Sequence, residues 1–307
     1  MSNAIRADAL TKDYGGGRGL FDLGLEVPAG EVFGYLGPNG AGKTTTIRLL
    51  MGMIHPTRGG AEIFGLDCQR KPVEVKKLVG YLPGELPQFG GLRGSEVVSY
   101  LAGLRGPELD QAEVRSLADR LQLDLRLRFR ELSRGNKQKL GLLLAFMHEP
   151  RLLILDEPSG GLDPLNQQEF YLMVDEARQR GATIFLSSHI LSEVEHVCQR
   201  VGIIRQGRLV QVARMEDLHH IRYHHVEVEF AGEVPADAVR AADGVDDVRV
   251  DGHRLTCAVR GGFGPLLAAL NRGEVTNMIS HEPSLEEVFL TYYRDEGSPR
   301  SEPVEVA

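Results

Sequence analysis

The chain has 307 residues, 42% of them hydrophobic and 25% charged, with a formal net charge of −8. That balance suits one or two ordinary globular domains, and an acidic chain without a long Lys/Arg run argues against a nucleic-acid partner. Cys68, Cys198 and Cys257 lie far apart with no C-x-x-C spacing, which favours a reducing compartment over a disulfide framework or a zinc site.

The opening MSNAIRADAL lacks the apolar core of a signal peptide. No segment approaches the roughly 20 apolar residues of a membrane span, so a membrane role calls for a separate partner chain. Further along, Val32–Leu36, Leu78–Leu82, Leu152–Leu155 and Thr183–Ser187 read as buried strands. Helical spacing follows at Thr44–Met51, Asn166–Arg180 and Leu191–Gln199. Alternation of this kind predicts a largely parallel sheet covered by helices. Residues 85–149 break the rhythm and read as an inserted helical subdomain. Val201–Ile204 and Arg208–Val212, around Gln206-Gly207, read as a hairpin. The first domain is expected to span residues 1–217. A second, 218–294, has the order βαββαβ: strands at His225–Phe230, Val245–Val250, Arg254–Val259 and Val275–Ser280, helices at Pro235–Ala242 and Phe263–Leu270. Pro283–Tyr293 reads as a closing helix, and the tail 295–307 as disordered.

Residues Gly37 to Thr45, GPNGAGKTT, contain GxxxxGK[ST] between the strand VFGYL and the helix opening at Thr44. Glycines such as Gly37, Gly40 and Gly42 let backbone N–H groups, that of Asn39 among them, curl around phosphates, and the helix N-terminus adds its positive end. Lys43 is expected on the β- and γ-phosphates and Thr44 on Mg²⁺. LLILDEP places Asp156 and Glu157 at the carboxyl end of a buried strand, where an open α/β sheet binds its ligand. Asp156 then holds Mg²⁺, and Glu157 is free to act as general base. His189 follows the strand TIFLSS; it fits a γ-phosphate contact, and a structural role as well. Tyr14, in LTKDYG, is compatible with stacking on a flat base and equally with a core or surface position. In LSRGNKQK, Ser133 fits the N-cap of the helix that follows, but a cap alone does not explain the glycine and the long polar groups.

Together GPNGAGKTT, LSRGNKQK, LLILDEP, SGGLDP and SSH resemble the nucleotide-binding subunit of an ATP-binding-cassette (ABC) transporter, over roughly residues 4–217. The later stretch EPSLEEVFLTYY resembles the accessory domain of the daunorubicin-resistance branch of bacterial drug exporters. The resemblance implies a P-loop NTPase fold with a parallel-sheet core, an antiparallel β subdomain and a helical subdomain, followed by a small α+β ferredoxin-like domain. It implies ATP and Mg²⁺ as cofactors, hydrolysis coupled to transport, and attachment to the cytoplasmic face of the membrane through a permease. It also implies a homodimer closing head-to-tail on ATP, in which Ser133 and Gly135 of one chain reach the γ-phosphate held by the other. By the same resemblance Tyr14 stacks on adenine, Asp163 belongs to the loop communicating across the dimer, and His189 is the switch histidine. Two departures stand out. Arg134, directly after Ser133, replaces a signature residue that is usually glycine, and Asn136 adds a residue between Gly135 and Lys137-Gln138. Gly84 takes the place of the family's glutamine after Tyr81-Leu82-Pro83, with Glu85 next and Gln88 further on. The rival expectation, a soluble ABC-type ATPase of translation or DNA maintenance, calls for tandem cassettes, long coiled coils or zinc modules. The sequence shows none of these.

Overall fold

A computed structural model describes residues 3–105, 110–220 and 223–281. The expected closing helix at 283–293 and the tail lie outside them. The chain divides into two compact units, Met1–Met215 and Glu216–Ala307.

The first unit begins with strands β1 (Asn3–Asp13) and β2 (Gly19–Pro28), which pair antiparallel. β3 (Val32–Leu36) then leads through the glycine-rich loop into helix α1 (Lys43–Leu50). β4 (Arg58–Ile63) and β5 (Leu66–Asp67) complete a four-stranded antiparallel sheet of order β2-β1-β4-β5. Helix α2 (Pro72–Leu78) runs directly into β6 (Val79–Leu82). Leu78, expected in the strand, closes the helix instead. Pro72 fixes the first turn of α2, and Lys76 and Lys77 in the last turn suit the helix C-terminus.

Helices α3 (Gly94–Arg105), α4 (Gln111–Arg120) and α5 (Arg134–Phe146) fill the stretch between β6 and β7 (Leu152–Asp156). Asp110 caps α4 by accepting from the Ala112 amide at 2.7 Å, and Ser133 caps α5 by accepting from that of Asn136 at 3.2 Å. α6 (Pro164–Gln179), β8 (Thr183–Ser188), α7 (Leu191–Val197), β9 (Arg200–Arg205) and β10 (Arg208–Arg214) finish the unit. The main sheet has the order β10-β9-β3-β8-β7-β6, parallel apart from the β9–β10 hairpin. β3, β7 and β8 are buried at every residue, which explains why they read as unbroken apolar runs. Between the sheets, Leu20 and Leu23 of β2 join Ile47 and Leu50 of α1 and Phe33, Ile154 and Phe185 of the main sheet in one core. Phe33 and Phe185 stack with centroids 5.9 Å apart. This core clamps α1, and with it the loop that feeds it, onto the sheet.

α8 (Met215–His220) carries the unit boundary. Beyond it come β11 (Tyr223–Phe230), α9 (Ala236–Arg240), β12 (Val245–Asp251), β13 (Arg254–Arg260), α10 (Gly264–Leu270) and β14 (Val275–His281). Its sheet is fully antiparallel, of order β12-β13-β11-β14. Alternate residues Val226, Val228, Leu255, Cys257 and Val259 meet Val239 and Leu266 in a core of their own.

Candidate active site

β3, β8 and β7 are neighbours in the sheet. Leu36 pairs in register with Ser188, and Ser187 with Asp156. The loops after the three strands therefore open together at the carboxyl edge of the sheet. After β3 the chain turns through Gly40 and Gly42, at φ 80° and 113°. These left-handed conformations suit glycine and aim the loop into the N-terminus of α1.

Lys43 opens that helix and is 6% exposed. Its Nζ donates to the carbonyls of Gly37 at 2.5 Å and Pro38 at 3.3 Å, and lies 3.1 Å from Glu157 Oε1. Asp156 is buried. Its Oδ1 accepts from Ser187 Oγ at 2.5 Å, and its Oδ2 from Thr44 Oγ1 at 2.9 Å. No Lys or Arg is ion-paired with it among the described residues. A buried carboxylate held only by hydroxyls is a place where a cation gains much. Thr44 and Asp156 supply hard oxygens, and no group of three His, Cys, Asp or Glu converges anywhere among the described residues. That sparse set fits Mg²⁺, which keeps several waters and takes its remaining ligands from phosphates.

Glu157 has φ 53°, rare for a residue with a Cβ, and its amide donates to the Ser187 carbonyl at 3.1 Å. The bend turns the side chain back over the loop. There Oε2 lies 2.6 Å from His189 Nδ1 while Oε1 faces Lys43. Gln138 of α5 donates to the carbonyls of Glu157 at 3.1 Å and Pro158 at 2.9 Å, tying the helical insertion to this bend.

A cleft of 480 Å³ runs from Tyr14 past Asn39, Gly40 and Gly42 to Lys43, Thr44 and Thr45, and ends on Asp156 and Glu157. Tyr14 is 50% exposed, and Lys12 Nζ lies 5.5 Å from its ring centroid. Arg18, Gln206 and Gly84 also line this cleft. The sequence reading missed Arg18, Gln206, Ser187 and Gln138 as site residues. The latter two sit within quoted motifs, SSH and LSRGNKQK, so position was legible and role was not.

Ser133, Gly135 and Asp163 are not brought into this cleft. They form a separate cluster at the start of α5 and α6. Asp163 caps α6 through the Asn166 amide at 3.1 Å, and these bonds from Asn166 hold its carboxyl below the usual range. Lys139 Nζ lies 3.9 Å from Asp163. A Cβ on Gly135 would stand 2.7 Å from the Gly161 carbonyl oxygen. The two departures from the family pattern line one second cleft, of 520 Å³, on the other side of Glu157: Gly84 and Gln88 face Arg134 there. A Cβ on Gly84 would lie 3.4 Å from Asp156 Oδ2, so a glutamine would begin directly over that carboxylate.

The sequence profile of the family described as ABC transporter matches residues 20–160. The bacitracin transport ATP-binding protein BcrA of Bacillus licheniformis is 36% identical, over 94% of this chain and 97% of that protein. Its namesake in Enterococcus faecalis is 34% identical, over 81% and 82% respectively. A solved structure described as the ATP-binding subunit of an ABC transporter superposes with a TM-score of 0.65 at 31% identity, covering 71% of this chain and 92% of that one. The cleft, the strand-end carboxylates and these similarities agree: the chain belongs to the ABC transporter family, as one of its ATP-binding subunits.

Proposed function

We propose that this protein is the Mg²⁺-dependent ATPase subunit of an exporter, working as a homodimer beneath a separate membrane-spanning permease. The observation that carries the reading is the convergence of Lys43, the Thr44–Asp156 oxygens and the Glu157–His189 pair at the end of one cleft. The loop amides and the N-terminus of α1 receive the phosphates, and Lys43 exchanges its carbonyl contacts for β- and γ-phosphate oxygens, which are stronger acceptors. Thr44 and Asp156 hold Mg²⁺, which when bound offsets the charge between those phosphates. Tyr14 covers the adenine at the cleft mouth. Once Lys43 turns to phosphate, Glu157 is released to accept a proton from the attacking water, and His189 orients the carboxylate from its other side.

The cluster of Ser133, Gly135 and Asp163 serves the nucleotide bound by the second copy of the chain. Its separation from the cleft of its own chain supports that reading. No helix among the described residues is long and apolar enough to cross a membrane. Transport then depends on a permease, which holds the subunit at the cytoplasmic face. The BcrA proteins are named for bacitracin transport, so a peptide antibiotic or similar drug is the substrate class we assign. We read the second unit as ferredoxin-like from its strand order, with a role in bracing the dimer or contacting the permease.

The test is ATP hydrolysis and size exclusion with and without Mg²⁺. Hydrolysis is expected to vanish in EDTA, and slow hydrolysis conditions with ATP are expected to yield a dimer. Metal-independent turnover, or a monomer under every nucleotide condition, would refute the reading.

A further inference from the structure

Glu193 is the most deeply buried acidic side chain of the described residues, 1% exposed, and no cation pairs with it. It stands on α7 behind the catalytic edge. Its Oε2 lies 2.5 Å from Ser188 Oγ. That hydroxyl also accepts from the Ile190 amide at 2.9 Å and lies 3.2 Å from the Ile190 carbonyl. Ser188 and Ile190 flank His189, so the turn that aims the histidine is closed by one hydroxyl, and that hydroxyl rests on Glu193. The hydroxyl and amide of Ser159 face the same carboxyl from the loop after Glu157. Burial pushes this carboxyl up from its usual range, and the charge of Glu157 adds to the shift. Ser188 Oγ donates to Glu193 Oε2 and accepts from the Ile190 amide, which ties the turn to the carboxyl.

A buried carboxyl with no cation beside it is costly, and an apolar residue would fill the space more stably. The chain spends that stability where two loops meet, the one carrying His189 and the one carrying Glu157. Those two residues face each other at 2.6 Å. We propose that Glu193 is the positioning residue of this site: through Ser188 and Ser159 it fixes the His189 turn against the Glu157 loop and so sets the geometry of the base. The proposal rests on the reading of Glu157 as base and His189 as its partner.

The experiment is a double-mutant cycle on the full chain, with kcat and ATP affinity measured separately. Glu193→Ala is expected to lower kcat about ten- to a hundredfold while the Kd for ATP stays within about twofold, because a misplaced reactive group costs rate rather than binding. Glu193→Gln keeps the shape and an oxygen that accepts from Ser188, and is expected to recover activity to within about threefold of wild type. In a His189→Ala background Glu193→Ala should have little further effect. Equal effects in both backgrounds, or parallel loss of ATP affinity, would overturn the proposal. If Glu193→Ala does not fold, Ser188→Ala cuts the same link while leaving the carboxyl in place. It is expected to show the same kcat-only loss, and wild-type kcat there would equally overturn the proposal. A His189→Ala protein with wild-type turnover would instead defeat the underlying reading of the pair.

Discussion

Two glycine-to-alanine changes, both in helices, should shift stability in opposite directions. Gly135 is the second residue of α5. Alanine there gains helix propensity of about 0.5–1 kcal/mol. Its Cβ, however, would stand 2.7 Å from the Gly161 carbonyl oxygen, about 0.7 Å short of ordinary contact. That oxygen is backbone. Gly161 is left-handed at φ 83°, and next to it Leu162 is buried and its amide donates to the Ser159 carbonyl at 3.0 Å. The loop cannot yield as a flexible side chain would, and overpacking against a fixed group costs about 1–3 kcal/mol. At mid-range values the clash outweighs the propensity gain, leaving about 1 kcal/mol of net destabilisation. For a unit of this size that lowers Tm by about 2–4 °C. Gly103, in α3, has nothing within 4 Å of its would-be Cβ, so alanine there should stabilise by about 0.5–1 kcal/mol. Calorimetric or dichroism melts of both variants beside wild type give the answer. A Gly135→Ala protein that melts higher than wild type would show that the Gly161 loop does not press on α5.

Tyr14→Ala should weaken ATP binding by about 1–3 kcal/mol, by the measure of base–aromatic stacking, while inorganic triphosphate binds unchanged; equal affinity for ATP in a titration would return the ring to a surface role. A chain ending after His220 should stay folded and bind ATP, since every cleft residue precedes that point and the two units have separate cores; a soluble, folded fragment that fails to bind nucleotide would show that the units are not independent. Burial pushes the thiol of Cys68 up to about 12 and that of Cys257 to about 11, and it raises that of Cys198 well above its usual value. The native protein should therefore resist Ellman's reagent at pH 8 and expose all three thiols in guanidinium, with rapid native labelling as the contrary result. By linkage, the stability these thiols carry is complete below the ordinary thiol value of 9.0 and is lost as pH climbs through the folded values.

The phosphate loop and the strand-end acids were legible because chemistry restricts them. Few residue types let a backbone wrap phosphate, and a buried run such as LLIL admits only apolar side chains. The antiparallel sheet was not legible from the residues. β1 pairs with β2 through three register shifts, and Ala9 turns to φ 45° within it, so the apolar alternation that marks a half-buried strand is interrupted. Leu78 reads as strand because apolarity alone does not distinguish a helix end from a strand start. Ser187, Gln138 and Glu193 escaped notice for a different reason. Their roles arise from contacts between segments distant in sequence, or across one turn, and nothing local marks a serine that supports a carboxylate.

The claim that Glu157 performs base chemistry on nucleotide held by Lys43 is tested most directly by Glu157→Gln. The amide keeps the shape of the side chain but accepts no proton. The variant is expected to retain labelled ATP, unhydrolysed, through gel filtration with Mg²⁺, while turnover falls by about 10²–10⁴-fold. Turnover at the wild-type rate, with only ADP recovered, would contradict it.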